Sequence, residues 1–166
     1  MSWSSVLVVA NVTADSDELI AALQARARNR RIRIQLVVPI GGAGPDRQAG
    51  EQQLERGLDR MAAAGIEAQG QCVRGDPVHA VHEVWDAAAI DEIVVSTLPT
   101  GVSKWLRIDV PHRLEKLTGA RVEHIETAPP RPAPPVSRLE RRSDRSGLLA
   151  PLAALPWGSR QRDEKN

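Results

Sequence analysis

Over the first 128 residues, short β-branched runs alternate with stretches of helical period, and no other feature narrows the fold as far. VLVVANV (6–12), IRIQLVVPI (32–40), EAQGQCVRG (67–75), DEIVVST (91–97) and RVEHIE (121–126) read as five strands. The first and fourth are apolar almost throughout, the pattern of central strands covered on both faces of a parallel sheet. The fifth carries Glu123, His124 and Glu126 and belongs nearer an edge.

Helical stripes fill the intervals. Ile20, Leu23 and Ala27 share one face, with Asp15 and Glu18 spaced as a capping box ahead of them. Leu54, Leu58 and Met61 form the second stripe, which stops at Gly65. Val78, Val81, Trp85 and Ala88 form the third, opened by Asp76-Pro77, a cap residue followed by proline at the first helical position. Val110, Leu114 and Leu117 form the fourth, stopped by Gly119. The order βαβαβαβαβ predicts an α/β fold: an open five-stranded parallel sheet with helices on both faces, Rossmann-like. Right-handed crossovers leave strand order 3-2-1-4-5 as the simplest topology.

Composition changes after residue 128. APPRPAPP (128–135) holds five of the chain's 12 prolines, which predicts a stiff linker and a domain spanning 1–128. Residues 129–166 carry eight Arg/Lys against four Asp/Glu, and are expected to be a disordered tail. An apolar island (Leu148, Leu149, Leu152, Leu155, Trp157) gives that tail a means of docking on a protein partner.

With a net charge of +1 overall, the tail's +4 leaves −3 on residues 1–128. A nucleic-acid-binding domain is expected to show the opposite, a basic folded part, so no nucleic-acid partner is expected. Cys72 is the single cysteine, which rules out an intrachain disulfide, and a buried, inert thiol is expected there. No apolar run approaches the roughly 20 residues that span a bilayer, so the expectation is a cytoplasmic chain without a membrane partner.

The stretches VLVVANVTADSDEL and VVSTLPTGVSKWLRIDVPHRLEKLTGARVEHI, together with the order and length of the elements, resemble the universal stress protein family over residues 5 to about 127. That resemblance implies a stress-response or signalling role and a homodimer. ATP-binding members of that family carry Gly-x-x-Gly, nine residues, then Gly and a hydroxyl residue, with glycines that let backbone amides approach phosphates at a helix N-terminus. On this chain the glycine positions fall on Val95, Leu98 and Ile108, and the hydroxyl position on Asp109. The acidic residue that commonly meets the adenosine end falls on Asn11. The expectation is therefore a degenerate nucleotide-binding site, without tight ATP binding and without a cofactor.

An alternative ligand cleft remains in the sequence. Asn11, Val12, Ser96, Thr97, Thr100, Gly101, Ser103 and Lys104, with Gly41 and Gly42 nearby, would gather at the C-terminal ends of strands 1 and 4. Hydroxyls, a flexible amide and one ammonium suit ATP, another adenine nucleotide or a small anion. The plainer reading makes Ser103 a helix cap and Pro99–Gly101 a turn, with Asp109 capping the helix that Val110 and Pro111 open. His79, His82, Glu83 and Asp86 line one face of the third helix, read as a solvated face and not as metal ligands. No nucleophile with a base and an orienting group can be assembled, so no enzyme activity is expected.

Overall fold

The computed structural model describes residues 3–41, 44–99 and 109–128. The proline linker and tail (129–166) lie outside the described residues. Strands β1 (Trp3–Val9), β2 (Arg31–Ile40), β3 (Ala68–Arg74), β4 (Glu92–Thr97) and β5 (Arg121–Glu126) form one parallel sheet in the order β3-β2-β1-β4-β5. Helices α1 (Asp17–Asn29), α2 (Pro45–Ala63), α3 (Pro77–Val84) and α4 (Val110–Thr118) alternate with them.

Strand alternation sorts the core into two layers. Val6, Val8, Ile34, Leu36, Val38 and Val94 face α1 and α2, where Leu19, Leu23 and Met61 meet them. Leu7, Val9, Val37, Ile93 and Val95 face α3 and α4, meeting Ala80, Val81, Val110 and Leu114. The division follows from topology: the chain moves one way through β1, β2 and β3, then crosses back to β4, and right-handed crossovers send the later helices to the opposite face. Close approach fixes α2 on the sheet. A Cβ at Gly70 of β3 would lie 2.7 Å from a Leu54 methyl group on α2, and one at Gly57 of α2 would lie 2.9 Å from a Leu36 methyl group on β2.

Local chemistry sets the helix ends. Asp76 caps α3 as expected, accepting from the amides of Val78 (2.8 Å) and His79 (3.0 Å). In α1 the cap is Ser16, whose Oγ accepts from Leu19 N; Asp15 instead pairs with Arg56 at 3.4 Å. Helix α3 ends at Val84, short of the Ala88 that its apolar period suggests. There the Asp86 carboxylate accepts from Ala88 N at 2.9 Å and folds the chain into a turn.

At the N-terminal end of the sheet, α1 is tied down by charge. Arg26 binds Glu92 at 2.9 Å and also pairs with Glu123, while Arg30 reaches Glu92 at 2.8 Å. Burial alone would lower the Arg26 pKa, but its bonds to Glu123 and Glu92 outweigh that and raise it, so the cation persists in a site where its side chain is only 13% exposed.

Candidate functional site

Strand β1 stops at Val9, paired with Val37 on one side and Val95 on the other, while β2 and β4 run on past it. The helices change faces between β1 and β4, the switch point of the strand order beside which open α/β folds form their ligand crevice. Two carbonyls that would otherwise lack ladder partners border it, and both are satisfied by side chains from the turn after β1.

Ala10 N donates to Val37 O at 3.2 Å, the last ladder bond from this end of β1. Two residues on, Pro39 O is the next acceptor, and the Asn11 carboxamide nitrogen donates to it at 3.1 Å. A carboxylate at position 11 could not donate this bond and would set an anion against the carbonyl. Asparagine therefore fits the local geometry, and its Oδ1 has no partner among the described residues. On the β4 side, Thr13 Oγ donates to Ser96 O at 3.0 Å. Two backbone bonds close the turn itself, Ala14 N to Asn11 O (3.0 Å) and Ser16 N to Thr13 O (3.2 Å).

The next layer continues into β5. Thr97 Oγ and His124 Nε2 are 2.7 Å apart, and Thr97 O accepts from both Thr127 N (2.8 Å) and Thr127 Oγ (3.1 Å). Thr97 is 2% exposed while His124 is exposed, so the pair joins a buried hydroxyl to an imidazole at the surface. Ser96 is 1% exposed, and its Oγ has no hydrogen-bond partner among the described residues. A buried hydroxyl left in that state costs free energy relative to a satisfied one.

Of the residues predicted from sequence, Asn11 and Ser96 flank the end of β1, through Pro39 O and Thr13, whereas the Thr97 side chain turns away to His124 on β5. Val12, in the turn after β1, is 49% exposed, and Gly41 is exposed. Gly42, Thr100, Gly101, Ser103, Lys104 and Ile108 lie outside the described residues. Thr13, His124 and Thr127 were not anticipated. The Thr-x-x-Ser spacing of Thr13 and the α1 cap Ser16 was the only local hint, and the partners of all three lie across the sheet.

Asp109 precedes α4 as expected, but not as a side-chain cap. Its φ and ψ are 50° and 51°, in the left-handed region, and its side chain makes no capping hydrogen bond. A capping side chain needs extended backbone to reach the second or third amide, which this conformation denies. Val95, at the first family glycine position, is a fully buried strand residue in the α3/α4 core. Leu98, at the second, is half-buried.

Among the described residues the remaining titratable groups form no centre. His79 and Glu83 lie 3.8 Å apart and are exposed, and no group of three or more His, Cys, Asp or Glu able to hold a metal occurs among the described residues. Cys72 is half-buried beside α2, and burial, aided by Glu51, raises its thiol pKa. Among the described residues no helix is long and apolar enough to cross a membrane.

No protein-family model matches the sequence, and no curated protein matches it. Solved structures do. A universal stress protein in complex with cAMP superposes with a TM-score of 0.52 at 21% identity, covering 75% of this chain and 97% of that one. A universal stress protein family member from Arabidopsis thaliana with AMP bound gives 0.56 at 16% identity, covering 75% and 92%. The Archaeoglobus fulgidus universal stress protein in complex with dAMP gives 0.57 at 15% identity, covering 75% and 98%. The chain thus has the universal stress protein fold, with the sheet order 3-2-1-4-5 anticipated from its sequence.

Proposed function

We propose that this chain is a non-catalytic regulatory domain of the universal stress protein type, cytoplasmic and homodimeric, which does not hold ATP tightly. The observation that carries this reading is Val95. Its side chain fills the α3/α4 core where ATP-binding members have a glycine, and the neighbouring Leu98 is also partly packed. Backbone amides approach phosphate closely where glycines line a loop; here the first of those positions is a strand residue packed into the core and the second a half-buried leucine. Asp109 adds an exposed carboxylate at the mapped hydroxyl position, opposing a polyphosphate.

A second reading is favoured by the unused polar capacity of the crevice. Asn11 Oδ1 and Ser96 Oγ have no partners among the described residues, and three similar structures hold adenine mononucleotides. In this reading the crevice senses AMP or a cyclic mononucleotide, recognised at the nucleoside end by Asn11. Calorimetric titration of the full chain separates the two. No heat with ATP and magnesium up to millimolar concentration is expected, and micromolar ATP binding would overturn the leading reading. Binding of AMP or cAMP that weakens about tenfold in Asn11→Ala, the loss of roughly one hydrogen bond, would establish the second.

A further inference from the structure

The face of the sheet that carries α3 and α4 is not fully clothed. Helix α3 has eight residues, about 12 Å at 1.5 Å per residue, beside a β2 of ten residues, about 33 Å. Its packing partners on β2 and β3 are Val37 and Val73, toward the C-terminal ends of those strands. The same face nearer the N-terminal ends carries Trp3, Arg31, Arg33, Gln35, Gln69 and Gln71. Trp3 pairs with Arg31, and Gln35 with Gln69, in the strand register. All but the half-buried Gln35 are exposed, Trp3 at 46%.

This surface is organised around the indole. The guanidinium carbons of Arg31 and Arg33 lie 5.7 and 5.3 Å from its ring centroid, within cation–π range. Arg33 also meets Glu67 at 3.4 Å, across from β3. The result is three adjacent strands presenting one aromatic ring, two oriented guanidiniums and three carboxamides. A protein interface of stable size needs an apolar core, and this face supplies one ring for it. A single-stranded nucleic acid asks for something different: a ring on which a base can stack, cations for the flanking phosphates, and amides able to meet base edges.

We infer that the exposed β1–β2–β3 face, with Trp3 flanked on its β2 side by Arg31 and Arg33, is a docking surface for a short single-stranded nucleic acid. The charge of −3 on residues 1–128, from which the sequence alone leads to no nucleic-acid partner, excludes a domain-wide basic surface and a long polyanion, and confines the contact to what two arginines can meet, about two phosphates. Glu67 competes with phosphate for Arg33 and sets the affinity low. The basic residues 129–166 would add attraction that does not depend on Trp3, so the test must separate the two contributions.

Full-length protein is titrated with fluorescein-labelled oligo(U) and oligo(dT) 12-mers at low salt, reading anisotropy and tryptophan quenching, with a poly-glutamate peptide in parallel. Binding of an oligonucleotide that quenches tryptophan is expected. Trp3→Leu should weaken it roughly 5- to 100-fold, the range of one lost base–aromatic stack. Arg31→Gln should lower the salt slope by about 0.7, the share of one single-strand phosphate. Glu67→Gln should tighten binding several-fold, a direction that damage to the fold would not produce. Preference for oligo(U) would assign RNA, and equal binding would assign single strands of either sugar. Failure to bind, affinity unchanged by Trp3→Leu and Glu67→Gln, or quenching by the poly-glutamate peptide alone would each overturn the inference. The last would reassign the face to an acidic protein. None of these outcomes bears on the nucleotide crevice, at the opposite end of β1.

Discussion

The two ends of the sheet solve the same problem in opposite ways. At the N-terminal end, polar groups brought near the core are charges, and each has an opposite charge: Arg26 with Glu92 and Glu123, Arg30 again with Glu92. At the C-terminal end they are neutral. Asn11 and Thr13 complete the carbonyls of Pro39 and Ser96, and Thr127 completes Thr97. The charged end uses its groups on one another and works as a clasp between α1, β4 and the edge strand. The neutral end leaves Asn11 Oδ1 and Ser96 Oγ without partners among the described residues, the reserve on which the nucleotide-sensing proposal draws.

Substitutions can break or sharpen this contrast, and urea unfolding followed by circular dichroism measures each one. Arg26→Ala should have the largest effect, a loss of about 2–3 kcal/mol. It falls short of the 3–5 typical for a buried pair because Arg30 still neutralises Glu92. A loss below 0.5 kcal/mol would mean that the clasp is merely superficial. Thr13→Val should cost about 1–2 kcal/mol, since it leaves the buried Ser96 carbonyl without its donor. Asn11→Asp should cost about 1 kcal/mol near neutral pH, exchanging a bond to Pro39 O for repulsion. Repulsion raises the folded-state pKa of the new carboxyl above its unfolded value of about 3.9, so the loss should shrink as pH falls from about 6 toward 4, where protonation restores a donor, and change little below that. Ser96→Ala should have the smallest effect, within about 0.5 kcal/mol of wild type, because the hydroxyl it removes has no partner to lose among the described residues. A Ser96→Ala cost above 1 kcal/mol would show that the hydroxyl is satisfied and that this reserve does not exist.

The chain disclosed its scaffold more readily than its site, for a physical reason. Strand and helix periods are local, so five strands, four helices and the Asp76 cap could be read from neighbours in sequence. Where the reading slipped, tertiary or turn geometry had intervened. Ser16 displaced Asp15 as the cap while Asp15 turned to Arg56, and Asp86 ended α3 before its apolar period ran out. The crevice depends on pairings between distant residues: Thr13 with Ser96, Thr97 with His124 and Thr127. Threonines and a histidine have many possible partners in a sequence and acquire one only when the strands are side by side. Asn11 was legible because it followed an apolar strand at the point where α/β folds hold ligands, but the reason for its amide was not. That reason is Pro39 O, on another strand.

The parallel sheet also has a mechanical consequence. β1 enters at the sheet's lower border and β5 leaves at the upper one, with β4 between them bonded to both. The amide of Ala128, just past β5, is held by the Glu18 carboxylate at the start of α1, at 3.2 Å. Tension applied between the two ends of the described domain would run along the strands and load the β1–β4 and β4–β5 ladders in shear. Their bonds would have to rupture together, whereas a sheet pulled across its strands opens one bond at a time. The domain should therefore resist stretching through its termini far better than its thermal stability alone would suggest.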